Sequence, residues 1–314
     1  MNKLFKSLRS LVPYGMKAPW PGALDEEGIE KALQSAAFKP CGNQDALSIG
    51  WVPSLGDPDT APLLYRGAGA DAPFLLTCCI ETKKVPTDVL NRRLAEKIKE
   101  IEAKESYKPG KKQQRELKEA IVQELLPRVL PRRKHIHVVI DAKDKWVLVG
   151  ATSISAADPV VEHLIRTFEA FPICPLQTNT APSAAMAEWI LEEPPFEFTV
   201  DRECELRSDL EEKPTVHYTR TALDTKEVRD HITEGGMTPT LLALTYADRL
   251  SLILTDRTEL RKIELLDVVT EECNNAQCSE ELFSTEFALM TGEVRKVLGA
   301  IVEALDGRKE ASDA

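Results

Sequence analysis

Residues 83–134 read KKVPTDVLNRRLAEKIKEIEAKESYKPGKKQQRELKEAIVQELLPRVLPRRK. Apolar residues recur at Leu90, Leu94, Ile98 and Ile101, the spacing of one helical face. A second stripe follows at Leu117, Ile121, Leu125 and Leu126 and stops at Pro127. Between the stripes lies Tyr107-Lys108-Pro109-Gly110. Pro109 cannot continue a helix and Gly110 permits a turn. Thr87 or Asp88 is placed to cap the first helix. The pattern predicts two antiparallel helices joined by a short turn. Such a pair has little core of its own, so it reads as an arm inserted into, and projecting from, a larger domain.

The arm is also the one strongly basic stretch of an acidic chain. It holds 16 Lys or Arg against 8 Asp or Glu, while the chain as a whole carries −11; the +8 here leaves −19 elsewhere. Charge placed this unevenly concerns partners rather than fold. Lys83, Lys84, Arg92, Arg93 and Lys97 line the first segment of the arm, Lys111 and Lys112 lie at the turn, and Arg128, Arg132, Arg133 and Lys134 at the return. These are the candidate phosphate contacts of a nucleic-acid-binding surface, giving affinity without sequence readout. Glu96, Glu100, Glu102 and Glu105 are spaced to pair with neighbouring lysines. The residues alone therefore leave two readings open, an interaction arm and a solvated hairpin whose charge keeps it in solution.

Working outward, residues 3–12 are expected to form a first strand and Asp25 to Ala37 a helix, capped by Asp25 with Ile29 and Leu33 buried. Phe74 to Ile80 is a continuous apolar strand from which the arm departs. After the arm, HIHVVI (135–140) and WVLVG (146–150) flank a polar turn, a hairpin signal. A helix then begins with Asp158 as cap and Pro159 in its first turn, its apolar face formed by Val161, Leu164, Ile165 and Phe168. Phe171 to Leu176 reads as a linker or edge strand. From Gln177 a second unit follows: a short helix with Met186, Trp189 and Ile190, then strands at 196–200, 204–207, 215–220, 240–246, 250–255 and 260–265. A helix at 226–234 ends at Gly235-Gly236. The chain finishes in a long amphipathic segment, 280–305. The expected class is α+β with mixed or antiparallel sheets, an inserted two-helix arm and a C-terminal helical segment. The domains are 1–82 and 135–176 as one central domain, 83–134 as the arm, 177–306 as a base domain and 307–314 as a frayed tail.

The usual chemical constellations are missing. No phosphate-binding loop, dinucleotide fingerprint, nucleophile elbow or His-Glu-x-x-His pattern occurs. His135 and His137 share a strand face but lack an evident third metal ligand, and Cys273 and Cys278 lack the second pair a zinc site needs. Asp57 and Asp59 carry little weight among 51 acidic residues. Seven cysteines, two of them in the apolar run at Cys78-Cys79, read as reduced structural residues of a cytoplasmic protein. No apolar run approaches the roughly 20 residues that span a bilayer. The expectation is a non-enzyme with no catalytic residue, metal or cofactor and no membrane partner.

Five motifs sharpen this reading: FKPCGNQD (38–45) followed by GWVPSLG (50–56), LLPR (125–128), FPICPL (171–176) and FALMTGE (287–293). In their order and over nearly the full length they resemble the recombination-associated protein RdgC family of bacteria. The resemblance implies horseshoe-shaped subunits that close head to head, through tip and base, into a dimeric ring. Double-stranded DNA would pass through without sequence preference, and the RecA recombinase would be restrained. It implies a nucleoid-associated protein without catalysis or cofactor. Lys83 matches a basic position where the family's arm begins. Leu130 stands where relatives commonly have a Phe packing across the tip contact, so Leu126, Val129 and Leu130 are the candidate dimer interface. Thr219-Arg220-Thr221 falls where relatives can carry Lys-Arg-Gln, leaving Arg220 as a further candidate DNA contact. Cys79-Ile80 likewise replaces commonly basic residues. A non-catalytic scaffold or chaperone-like dimer using the arm for protein contacts is the alternative, and an uncharacterised hydrolase the third reading.

Overall fold

A computed structural model of the chain describes residues 7–18, 20, 25–58, 60–69, 71–169, 171–208, 212–270 and 279–309. In chain order the elements are β1 (Val12–Met16), α1 (Glu26–Ser35), β2 (Leu47–Val52), β3 (Tyr65–Arg66), β4 (Phe74–Thr82), α2 (Thr87–Glu105), α3 (Lys111–Leu125) and a 3-10 turn (Leu126–Arg128). Then come β5 (Arg132–Asp141), β6 (Trp146–Val149), α4 (Ile154–Thr167), β7 (Ile173–Pro175), α5 (Pro182–Leu191), β8 (Phe198–Ser208) and β9 (Thr215–Thr219). The chain ends with α6 (Lys226–Thr233), β10 (Met237–Tyr246), β11 (Leu250–Thr255), β12 (Leu260–Leu265), α7 (Asp267–Thr270) and α8 (Ser279–Ala304). The class is α+β, as expected.

The chain forms two compact units. The larger comprises residues 1–35, 53–77 and 136–314, the smaller 36–52 and 78–135. In the larger unit residues 74–77 of β4, residues 136–141 of β5, β6, β1 and β7 follow one another across a sheet, with β3 paired to β4; the remaining residues of β4 and β5 belong to the smaller unit. The predicted hairpin is present, Val138 pairing Val149 and Asp141 pairing Trp146, and β7 is the edge strand on β1. A second, antiparallel sheet in this unit runs β12-β11-β10-β8-β9. Leu11 and Leu260 exchange backbone hydrogen bonds of 2.8 and 2.9 Å, tying the chain before β1 to the second sheet. One hydrophobic cluster runs from Leu8, Leu75 and Trp146 through Met186, Leu206 and Leu254 to Phe287 and Leu298 on α8. α1 starts as read: Gly28 N–H donates to Asp25 Oδ1 at 2.8 Å, and Ile29 and Leu33 are fully buried.

In the larger unit local structure departs from the sequence reading at β1, α4 and β8. Within the expected strand 3–12, residues 8–10 turn and the strand starts only at Val12; residues 3–6 lie outside the described residues. α4 begins at Ile154, not at Asp158, because Ser153 caps it by accepting from Ala156 N–H, and Glu259 accepts from Ile154 N–H at 3.0 Å. Pro159 therefore lies inside the helix. Its buried face is Ala157, Val160 and Leu164, with Ile165 exposed; a small alanine at the contact leaves no mark in a hydrophobic stripe. The two strands expected at 196–200 and 204–207 are one, β8, whose register shifts against β10 absorb the break in alternation.

Candidate nucleic-acid interface

The smaller unit contains the arm. α2 and α3 pack around Val85, Leu90 and Ile121, with Leu94, Val122, Leu125 and Val129 partly buried against them. This core is small, and electrostatics supplements it. Arg93 reaches Glu96 at 3.0 Å and Glu124 on α3 at 3.6 Å, so one guanidinium links both helices. Those carboxylates, Glu96 foremost, push its pKa up. Lys97 pairs Glu100 at 3.4 Å and Arg115 pairs Glu119 at 3.3 Å. Exposed pairs of this kind contribute little each, because solvent screens them and two long side chains must be held in place.

The turn is ordered by its own sequence. Neither Thr87 nor Asp88 caps α2; Pro86 holds the cap position without a side-chain hydrogen bond. The helix ends at Ser106 in the left-handed region (φ 57°), whose N–H donates to Glu102 O. Gln114 Nε2 donates to the carbonyl of the buried Pro109 at 2.8 Å, and Gln113 Nε2 to Tyr107 Oη at 3.0 Å. α3 then starts after an extended Gly110 with no side-chain cap and no acidic residue in its first turn. Lys111 and Lys112 occupy that turn instead, at the positive end of the helix dipole. Cations there cost about 0.3–1 kcal/mol each, and both are exposed.

The return of the arm separates residues that look alike in sequence. Leu126 is only 2% exposed and Val129 half-buried, whereas Leu130 is 86% exposed. Of these three candidate dimer contacts, Leu130 is the most exposed. Beyond it, Glu81 at the end of β4 is 1% exposed. It accepts from Arg133 Nε at 2.6 Å and from Cys41 N–H at 2.7 Å. The Arg133 hydrogen bond, then that of Cys41, holds the Glu81 carboxyl below its usual range. The Arg133 guanidinium also lies 5.2 Å from the centre of the Phe38 ring. Lys83 is occupied likewise: its Nζ donates to Gly42 O at 2.6 Å and its N–H to Ala46 O at 2.9 Å. Arg133 and Lys83 thus fasten the 38–46 segment. Sequence reasoning missed this anchor, although one acid closing the apolar run FLLTCCIET was its available signal.

The segment itself is held against β2. Phe38 N–H donates to Trp51 O and Trp51 N–H to Ala36 O, at 2.9 and 3.1 Å. A Cβ on Gly50 would stand 2.4 Å from Phe38 Cα, so only glycine permits this approach. Burial pushes the Cys78 thiol up to about 12 and raises that of Cys79, which makes both inert.

Eleven of the twelve candidate DNA contacts lie in the smaller unit. Among the described residues, Lys84, Arg92, Lys111, Lys112, Arg128, Arg132 and Lys134 are exposed and have no ion-pair partner. Arg220 is in the larger unit, exposed just past β9 at φ 59°. It borders a cavity of about 640 Å³ lined also by Asp201, Glu203, Lys262 and Glu264, where Lys262 pairs Glu203 at 2.7 Å. That surface is mixed in sign.

His137 Nδ1 and Thr77 Oγ1 are 2.8 Å apart. Among the described residues no group of three or more His, Cys, Asp or Glu is arranged to hold a metal, and no helix is long and apolar enough to cross a membrane. Cys273, Cys278 and Asp59 lie outside the described residues.

Comparison with known proteins places this architecture. Residues 5–308 match the family model described as "Putative exonuclease, RdgC". The "Recombination-associated protein RdgC" of Dechloromonas aromatica is 36% identical over 304 residues, covering 95% of this chain and 97% of its own. Those of Cupriavidus pinatubonensis and Bordetella pertussis are 37% and 34% identical, covering 96% and 97% of this chain and 99% of their own. Homology at this level, continuous through arm and both sheets, means that the chain belongs to the RdgC family.

Proposed function

We propose that this chain is a non-sequence-specific double-stranded DNA-binding protein that acts in recombination. Horseshoe-shaped subunits would close as a ring-shaped homodimer around the duplex and restrain RecA-dependent strand exchange. The observation that carries the reading is the set of unpaired, exposed cations on the smaller unit of a chain whose net charge is −11. The printed name of the relatives, recombination-associated, supports the setting. Lys and Arg meeting phosphates release counterions, which gives affinity without base readout. Closure gives long residence by topology even where each contact is weak, and a closed ring obstructs a filament-forming recombinase. Leu130, exposed beside Arg128 and Arg132, is an apolar side chain available for closure at the arm. The protein so read is nucleoid-associated in the cytoplasm, and needs no catalysis or cofactor.

The test measures binding to a linear duplex and to a covalently closed circle across a salt series, with the mass of the free protein and the length of the recovered DNA. The expected result is a dimer whose affinity falls steeply with salt and which leaves linear but not closed DNA. A monomer, or a dimer with salt-independent affinity, overturns the ring. Progressive shortening of linear DNA in the presence of Mg²⁺ overturns the non-catalytic reading in favour of the exonuclease of the family description.

A further inference from the structure

Arg132, Arg133 and Lys134 are three consecutive cations on one strand, β5, and alternation sends the middle one to the opposite face from its neighbours. The face of Arg133 is defined by its partners. Glu81 on neighbouring β4 accepts from its Nε, Phe38 lies under its guanidinium, and Cys41 donates its N–H to the same Glu81 carboxylate. Cys79, two residues before Glu81, points the same way and is buried. The other face of these strands carries Ile80 and Thr82 from β4 and Arg132 and Lys134 from β5; Thr82, Arg132 and Lys134 are exposed. Lys84 continues the exposed basic surface just past β4, and Arg128 precedes it on the 3-10 turn.

We infer that phosphate contact at the return of the arm belongs to Arg132 and Lys134, and that Arg133 is a positioning residue whose charge is committed to Glu81. This rests on the DNA-binding reading above and deepens it, dividing an unbroken basic run into two functions. Three features carry the division. The Glu81 carboxylate is removed from solvent and has Arg133 as its cationic partner. The guanidinium is oriented by ring and carboxylate together, leaving less freedom to follow a mobile phosphate. Among the described residues Arg132 and Lys134 have neither partner, so each keeps a whole charge for counterion release.

The experiment uses the full-length chain and a labelled linear duplex over a salt series, with thermal melting in parallel. Arg132→Gln and Lys134→Gln should each lower the slope of log K against log salt by about 0.9 for every phosphate contact removed, with the melting midpoint unchanged. Arg132→Lys should restore the slope. Arg133→Gln should keep the wild-type slope while lowering the melting midpoint. Glu81→Gln removes no cation and should melt early in the same way, which keeps the assignment testable if Arg133→Gln folds poorly. Wild-type slopes in Arg132→Gln and Lys134→Gln overturn the division while leaving DNA binding intact. So does a lowered slope in Arg133→Gln with unchanged melting, or wild-type melting in Glu81→Gln. A wild-type chain without salt-dependent duplex affinity overturns the parent reading instead.

Discussion

Arg249, immediately before β11, and Glu293, in the middle of α8, form a two-pronged ion pair: Nε to Oε2 at 3.1 Å and Nη2 to Oε1 at 2.8 Å. The Glu293 side chain is 4% exposed, and Lys296 adds a third donor at 3.0 Å. This pair fastens the last helix to the second sheet of the larger unit. The Arg249 hydrogen bond, ahead of the Lys296 contribution, holds the Glu293 carboxyl below its ordinary value of 4.5. A depressed carboxyl contributes stability that is fully present above 4.5 and is lost as pH falls through the folded value. Glu293→Gln should therefore destabilise by about 1.5–3 kcal/mol at neutral pH, the range for hydrogen bonds to charged groups. The gap from wild type should narrow as the pH drops below 4.5. Denaturant melts at neutral and acidic pH measure it, and a gap that stays constant would remove the ion pair as its cause.

The arm depends on very few apolar contacts, with Ile121 at their centre. Ile121→Ala should cost about 2–5 kcal/mol, locally rather than globally. Amide hydrogen exchange should show residues 87–125 losing protection while β10 and β11 keep theirs.

Gly50 lets the backbone of Phe38 pass at a distance no side chain allows. Gly50→Ala should destabilise by about 1–3 kcal/mol, and the loss should register as exchange at Phe38 and Trp51, whose N–H groups bond across this approach. Retained protection there would mean that the segment shifts to accommodate the methyl group.

Lys111 and Lys112 sit where a helix favours anions. Lys111→Glu with Lys112→Glu should raise the arm's stability by about 0.3–1 kcal/mol per position and, on the proposed function, weaken duplex binding. Stability and binding moving in opposite directions would identify the two lysines as retained for a ligand; moving together would not.

Leu130→Asp should change stability by less than about 0.5 kcal/mol, since the side chain is 86% exposed. Sedimentation should nevertheless show weaker self-association if the arm takes part in ring closure. An unchanged mass distribution would place closure elsewhere.

Much of the fold was readable residue by residue. Leu90, Leu94 and Ile121 announce the hairpin because helical periodicity is local, and Asp25 announces α1 because a cap acts over three residues. The start of α4 was not readable, because Glu259, far along the chain, accepts from Ile154 N–H and supports a Ser153 cap that local pattern ranks below Asp158 and Pro159. The break in β8 misled for a related reason: a register shift against β10 is defined by the partner strand.

The amino-acid sequence by itself determined that a basic two-helix arm is inserted in an acidic α+β chain, and its motifs determined the family. Composition, periodicity and turn residues act over a few positions, so they survive without coordinates. The tertiary structure decided which of the cations are free. Arg132, Arg133 and Lys134 are chemically near-equivalent in sequence, and Leu126 and Leu130 are identical residues. Only the arrival of Glu81, 52 residues before Arg133, commits one guanidinium. Only the packing of the arm buries Leu126 while leaving Leu130 in water. Pairing and burial are properties of neighbours in space, and those neighbours are assembled by folding.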